Sequence, residues 1–212
     1  CTSIYGIARD LSAADMGTLK DATIKPVKGA FPSPVQVKVE DDSLCPGFAL
    51  RLVRGVRNGP SPDWLQKRLT AIGLRPINNI VDVTNYLTFE IGQPTHAYDY
   101  DKLVARSGGD APRIITRLAQ QGERIRTLDE VDRTLDDFTI LVTDESGVLG
   151  IGGVIGGADT EISDTTTSVL LEAANWNFIN IRRTMQAQKI QTDAGVRFSR
   201  GVHPSWARRG VG

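Results

Sequence analysis

Cysteine and histidine are scarce in this 212-residue chain, which has two of each. Cys1 and Cys45 are too few for a disulfide framework, and that suits a reducing compartment such as the cytoplasm. His96 and His203 lie far apart with no cysteine nearby, so no dedicated zinc site is expected. No apolar run approaches the roughly 18 residues that a membrane helix needs. Net charge is absent too: 25 Lys and Arg balance 25 Asp and Glu. Phosphate contacts supply much of the affinity for nucleic acid, so a neutral chain should hold it weakly by itself. Neither a Gly-x-Ser-x-Gly elbow nor a cysteine close to a histidine supplies a nucleophile.

What remains is an ordinary globular composition, 40% hydrophobic and 24% charged, long enough to bury one good core. Ile4, Ile7, Ala8 and Leu11 fall at helical spacing, and Lys25 to Pro34 reads as a linker. Val35, Val37 and Val39 alternate with polar residues as in a half-buried strand, and Ala49 to Val56 is a second strand candidate. Ser61-Pro62-Asp63 offers a capping hydroxyl, a first-turn proline and an acid for a helix carrying Leu65, Leu69 and Ile72, which Gly73 ends. Asn79 is expected to cap a helix reaching Ile91, with Thr84 and Asn85 beside its apolar stripe. A turn after Pro94 is expected to hold His96.

Strands are predicted at 113–118, 124–128, 133–135 and 138–143, followed by a hairpin turn over Asp144–Gly147. Val169-Leu170-Leu171 reads as a buried strand ending in Glu172. A helix from Phe178 to Gln188 leads to a Thr192–Gly195 loop, and Ser205 can cap a last helix. The mixture lacks a regular βαβ rhythm. It predicts an α/β or α+β layered domain, with helices packed on a mixed sheet and a small N-terminal appendage. The boundaries expected are 1–46 for appendage, linker and strand, 47–206 for the main domain, and 207–212 for a following segment.

Charge is unevenly spread. Residues 129–164 carry ten acidic residues against Arg133, whereas 177–212 carry Arg182, Arg183, Lys189, Arg197, Arg200, Arg208 and Arg209 against Asp193. Solvated faces of opposite sign and a basic edge facing nucleic acid are both consistent with this. The glycine run Gly150-Ile151-Gly152-Gly153-Val154-Ile155-Gly156-Gly157 lacks the Lys-Ser/Thr of a phosphate loop and the third glycine of a dinucleotide fingerprint. It admits close approach of backbone to a ligand or to a neighbouring strand. Glu172, in apolar company, needs a partner, either an arginine or backbone amide of the chain or a ligand.

Asp99 and Asp101 read as caps or turn residues rather than a metal pair. His96 alone is a packing histidine, Thr84-Asn85 a polar helix shoulder, and Arg75 a capping or ion-pairing arginine. Together with Glu172 and the glycines, His96, Thr84 and Asn85 outline a cleft.

Arg75-Pro76-Ile77-Asn78-Asn79-Ile80-Val81-Asp82-Val83-Thr84-Asn85-Tyr86 and Gly92-Gln93-Pro94-Thr95-His96-Ala97-Tyr98-Asp99 resemble the editing domain of the bacterial phenylalanine–tRNA ligase β subunit. So do Gly152–Gly157, Val169–Ala174 and Arg197-Phe198-Ser199-Arg200-Gly201-Val202-His203-Pro204, in the family's order and spacing. The resemblance covers about residues 47–204, and Cys1 to Ala14 is similar to the end of the preceding β-subunit domain. It implies a metal-independent hydrolase that removes tyrosine from misacylated phenylalanine tRNA.

By the same resemblance, Glu172 accepts a hydrogen bond from the tyrosine para-hydroxyl and the Gly153 main chain touches that hydroxyl. Thr192 and Ala194 are small pocket-wall residues. His96, Arg75, Thr84 and Asn85 surround the ester and the terminal adenosine. Gly195 and Ser199 depart from the serine and glutamate common at those positions. The implied partners are the tRNA 3′ end, tyrosine, and the α subunit of a cytoplasmic (αβ)2 ligase, with ATP and Mg2+ needed by the whole ligase only. The alternative is a non-catalytic module of the same subunit that binds tRNA or serves as a scaffold.

Overall fold

The computed structural model describes residues 2–20 and 26–212, so Cys1 and Lys25 lie outside the described residues. The Ser3 side chain accepts from the Gly6 amide and starts α1, Ile4–Ala13. Its apolar stripe finds no cover: Ile4, Ile7 and Leu11 are exposed. Then come β1 (Gln36–Val39), β2 (Gly47–Arg54), α2 (Asp63–Ala71), α3 (Asn79–Glu90), β3 (Thr95–Asp99) and α4 (Tyr100–Arg106). The middle is β4 (Arg113–Leu118), β5 (Arg124–Arg126), β6 (Asp132–Thr134), β7 (Ile140–Asp144), β8 (Gly147–Ile151) and β9 (Ile155–Gly156). After β10 (Ser168–Asn175), α5 (Phe178–Ala187), α6 (Asp193–Phe198) and α7 (Trp206–Val211) complete the order.

Helices on mixed sheet, the expected class, is the class observed. One sheet runs β1-β4-β7-β8-β9, parallel only between β1 and β4. A second, antiparallel sheet runs β2-β10-β3, and β5 pairs with β6. Leu52, Tyr98 and Leu170 of the smaller sheet meet Ile114, Leu141, Leu149 and Ile151 of the larger one in a shared core. The outer face of the smaller sheet sets Ala97 and Val169 against Ile80 of α3, and α7 packs on β2 and β10. Strand β10 is thus covered on both faces, and this is why its sequence is a nearly unbroken apolar run. Side chains alternate along a strand. Leu170, Glu172 and Ala174 therefore point between the sheets, while Val169, Leu171 and Ala173 point outward.

Several expectations change. His96 lies in β3, not in a turn, because β3 hydrogen-bonds along β10 with His96 opposite Glu172. The Ser61 hydroxyl does not cap α2; it donates to Asp82 at 2.5 Å. Asn78, one residue earlier than expected, caps α3 through the Val81 amide. Thr192–Gly195 is a helix start, not a loop, since Thr192 caps α6. Ser205 makes no capping bond. Asp99 does cap, accepting from the Asp101 and Lys102 amides of α4 and from the Thr166 hydroxyl. Neither domain division coincides with a break in packing: β1, before residue 47, edges the larger sheet, and α7 spans 206/207 while packed on β2 and β10. Val37 of β1 is 45% exposed, so only Val35 and Val39 pack on the core. Among the described residues no helix is long and apolar enough to cross a membrane.

Leu170 is fully buried where the two sheets meet. Leu170→Ala is expected to lower unfolding free energy by about 3 kcal/mol, seen in urea as an earlier midpoint with unchanged slope. A loss below about 1 kcal/mol contradicts a core shared by both sheets.

Candidate functional site

Glu172 sits where β10 would be expected to place another leucine. It is 7% exposed, and its Oε2 accepts from the Tyr98 hydroxyl at 2.5 Å. Burial raises its pKa from the usual 4.5 to about 7, with the Tyr98 hydrogen bond pulling the other way. No cation contributes to that balance, so the internal partner is a phenol, not the arginine or amide considered from the sequence. Oε1 forms no hydrogen bond among the described residues, and Glu172 lines a hollow of about 80 Å3, well below the several hundred Å3 usual for ligand pockets.

The hollow is bounded by β3, β10, the glycine run and α6. Its walls include His96, Tyr98, Gly153, Trp176, Ala194 and Phe198. The glycines are needed on steric grounds. A Cβ on Gly153, at φ +69°, would lie 2.4 Å from Trp176 Cδ1, and one on Gly156 would lie 2.5 Å from His96 Cε1. Of the alternatives raised for the run, close approach of a neighbouring strand is seen where Gly150 pairs with Gly156; the glycines also admit two neighbouring rings and line the hollow. The Gly153 amide donates to no other backbone atom among the described residues, which leaves an N–H in the wall. Thr192 ties this wall to α6. It accepts from the Gly195 amide at 3.0 Å and donates to the Val154 carbonyl at 2.7 Å.

His96 packs edge-on to Tyr98 with ring centroids 4.4 Å apart. Its Nε2 is buried without a partner. Burial lowers its pKa from 6.5 to about 4, so the ring is neutral at pH 7 and is a hydrogen-bonding group rather than a cation. Cys45 is buried, and desolvation aided by the negative charge of Glu172 pushes its thiol up to about 12. It is no nucleophile.

The structure thus brings together His96, Glu172, Gly153 and Ala194, with Thr192 just behind the wall. It does not bring Thr84, Asn85 or Arg75 to the hollow. Thr84 turns back to the Val81 carbonyl within α3, Asn85 is half-buried on that helix, and Arg75 is exposed between α2 and α3. Tyr98 and Trp176 were missed from sequence. Tyr98 was findable, since two residues after His96 on a strand lies on the same face. The basic C-terminal stretch is partly spent on packing: Arg183 stacks on Phe138, and buried Arg197 stacks on Phe89 and donates to the Thr2 carbonyl.

A profile of the B3/4 domain matches residues 44–211. The chain belongs to the B3/4 domain family. This B3/4 chain is 52% identical over 211 residues to the phenylalanine–tRNA ligase beta subunit of Bradyrhizobium diazoefficiens, covering 100% of this chain and 25% of that protein. It is 53% identical, with the same coverage, to that of Nitrobacter winogradskyi. The chain thus spans about a quarter of the length of the curated relatives it matches. An N-terminal fragment of the phenylalanyl-tRNA synthetase beta-subunit from Pyrococcus horikoshii shares the fold at a TM-score of 0.51 and 19% identity, over 91% of this chain and 57% of that one.

Folding raises the Glu172 pKa, so the native B3/4 domain binds the extra proton between about pH 4.5 and 7. The stability it contributes is complete below that window and is lost as pH rises through it. His96 acts oppositely, losing its contribution as pH falls from 6.5 toward 4. Glu172→Gln removes the first effect alone. Its stability relative to the parent should therefore grow by roughly 3 kcal/mol between pH 4.5 and 8, measured by urea unfolding across pH. A pH-independent difference contradicts a titrating buried carboxyl.

Proposed function

We propose that this B3/4 domain is the editing unit of a phenylalanine–tRNA ligase β subunit, hydrolysing the ester of tyrosyl-tRNA(Phe) in the hollow beside Glu172. The observation that carries this reading is a buried carboxylate that lines a hollow, with one oxygen free of hydrogen bonds among the described residues and no cation beside it. A tyrosyl phenol complements it: the O–H donates to Glu172 Oε1, and the phenol oxygen accepts from the Gly153 amide. A phenylalanyl ring brings no donor and leaves the carboxylate desolvated, which is costly.

A site selecting phenylalanine by shape rejects an analogue that merely adds a hydroxyl only about 10²-fold. One built to bond that hydroxyl discriminates by about 10⁴ to 10⁵. Placing the second kind of site after the first corrects the error of the first.

Hydrolysis of an aminoacyl ester needs placement of water more than a strong nucleophile. Water adds to the carbonyl carbon, and the ribose oxygen departs carrying a proton. Neutral His96, with Nε2 unpaired, accepts a hydrogen bond from that water and orients it. Ala194 and Thr192 keep the wall small. Arg75, Thr84 and Asn85, which do not line the hollow, belong in this proposal to the approach of the terminal adenosine. The wider proposal is a cytoplasmic (αβ)2 ligase in which ATP and Mg2+ serve aminoacylation and the editing site uses no cofactor. The residues ahead of β1 then link this unit to the rest of the β subunit.

The test uses the whole ligase and compares deacylation of tyrosyl- and phenylalanyl-tRNA(Phe). The parent should strongly prefer the tyrosyl ester, and Glu172→Ala should erode that preference by about a hundredfold or more. Unchanged preference removes Glu172 from recognition. Failure of the parent to cleave tyrosyl-tRNA leaves a module that binds without hydrolysis.

A further inference from the structure

Resting on the reading of Glu172 as the tyrosine-recognising group, we infer that Tyr98 is a second specificity-determining residue. As a positioning residue, it holds Glu172 through Oε2 so that Oε1 alone is presented to the substrate phenol. The geometry is that of a fixed pair. Tyr98 is 2% exposed, its ring is clamped edge-on by His96, and its hydroxyl donates to Glu172 Oε2 at 2.5 Å. Both residues belong to neighbouring strands in register, Tyr98 opposite Leu170 and His96 opposite Glu172. Rotation of the Tyr98 side chain would break this hydrogen bond and its packing in the core.

A carboxylate with two open oxygens takes a donor at either, along several directions. With Oε2 occupied by a phenol of the chain itself, one oxygen and one approach remain. The same bond stabilises the ionised form of a carboxylate that burial otherwise drives toward protonation. Tyr98 thus supplies two things that recognition of a phenol donor requires: a defined direction, and a pull toward the ionised carboxylate against the effect of burial. The other groups facing Glu172 add little. His96 from β3 is neutral, and Cys45 ahead of β2 is an un-ionised thiol. The glycine run, Trp176, Ala194 and Phe198 carry no charge, and the Arg197 guanidinium of α6 turns away onto Phe89.

The test is Tyr98→Phe in the whole ligase, a change that keeps the ring and removes only the oxygen. Two quantities are followed from pH 5 to 9. One is the ratio of tyrosyl- to phenylalanyl-tRNA(Phe) deacylation. The other is the Glu172 carboxyl itself, as a 13C-glutamate infrared difference spectrum against Glu172→Gln. In Tyr98→Phe the carboxyl should titrate roughly one pH unit or more higher. The preference for tyrosine should fall about tenfold at pH 7 and recover as pH is raised, which a loss of packing alone would not do.

An unmoved carboxyl titration overturns the role of Tyr98 whatever the hydrolysis does. Faster tyrosyl-tRNA cleavage by Tyr98→Phe at every pH also overturns it, by making the internal phenol a competitor. A shifted carboxyl in an enzyme whose parent shows no preference for tyrosine sinks the reading of the site, and the specificity role with it.

Discussion

The structure turns on a carboxylate placed between two β-sheets with no positive charge to meet it. Burying an ionised group without a partner is among the costliest things a fold can do, and the usual response is a shifted pKa. Glu172 shows that response, and the single internal hydrogen bond from Tyr98 leaves the second oxygen unmet. Around it, the larger sheet gives up side chains. Gly153 and Gly156 make room for Trp176 and His96, whose rings then close the hollow on two sides.

The support of the site is rigid. His96, Tyr98 and Glu172 stand on paired strands and not on loops, so their spacing is set by sheet register. The glycine wall between β8 and β9 is fastened to α6 through Thr192. Sites on regular elements hold their geometry more closely than sites on loops. This bears on the proposed hydrolysis, in which placing water beside an ester matters more than nucleophile strength.

Much of this was legible in the sequence. The apolar run Val169–Leu171 announced a buried strand and Glu172 a carboxylate in need of a partner, although the strand does not end at Glu172 but runs on to Asn175 because Glu172 and Ala173 keep their pairing with β2 and β3. The hairpin Asp144–Gly147 and the helix over 178–187 were readable from turn and capping residues. Strand β3 was not, because Thr95–Asp99 is short, follows Pro94 and contains His96, and its strand character comes from pairing with β10 rather than from local preference. Missing β3 hid Tyr98, since only a strand puts residues 96 and 98 on one face. Thr84 does not reach the hollow, and for a different reason. A helix satisfies a threonine hydroxyl from its own preceding turn, so polar residues beside an apolar stripe need not face a cleft. The basic C-terminal stretch was open to two readings, a solvated face or a phosphate-facing edge, and three of its arginines, Arg182, Arg183 and Arg197, lie over phenylalanine rings.

On the proposed reading, the second oxygen of Glu172 receives the para-hydroxyl of tyrosine. A crystal structure with a non-hydrolysable tyrosyl-adenosine analogue decides this. The account predicts the ligand hydroxyl within hydrogen-bond distance, about 2.5–3.0 Å, of Glu172 Oε1, with the Tyr98 bond to Oε2 retained and the ester end toward His96. A ligand whose hydroxyl faces solvent, or one seated outside this hollow, would contradict it.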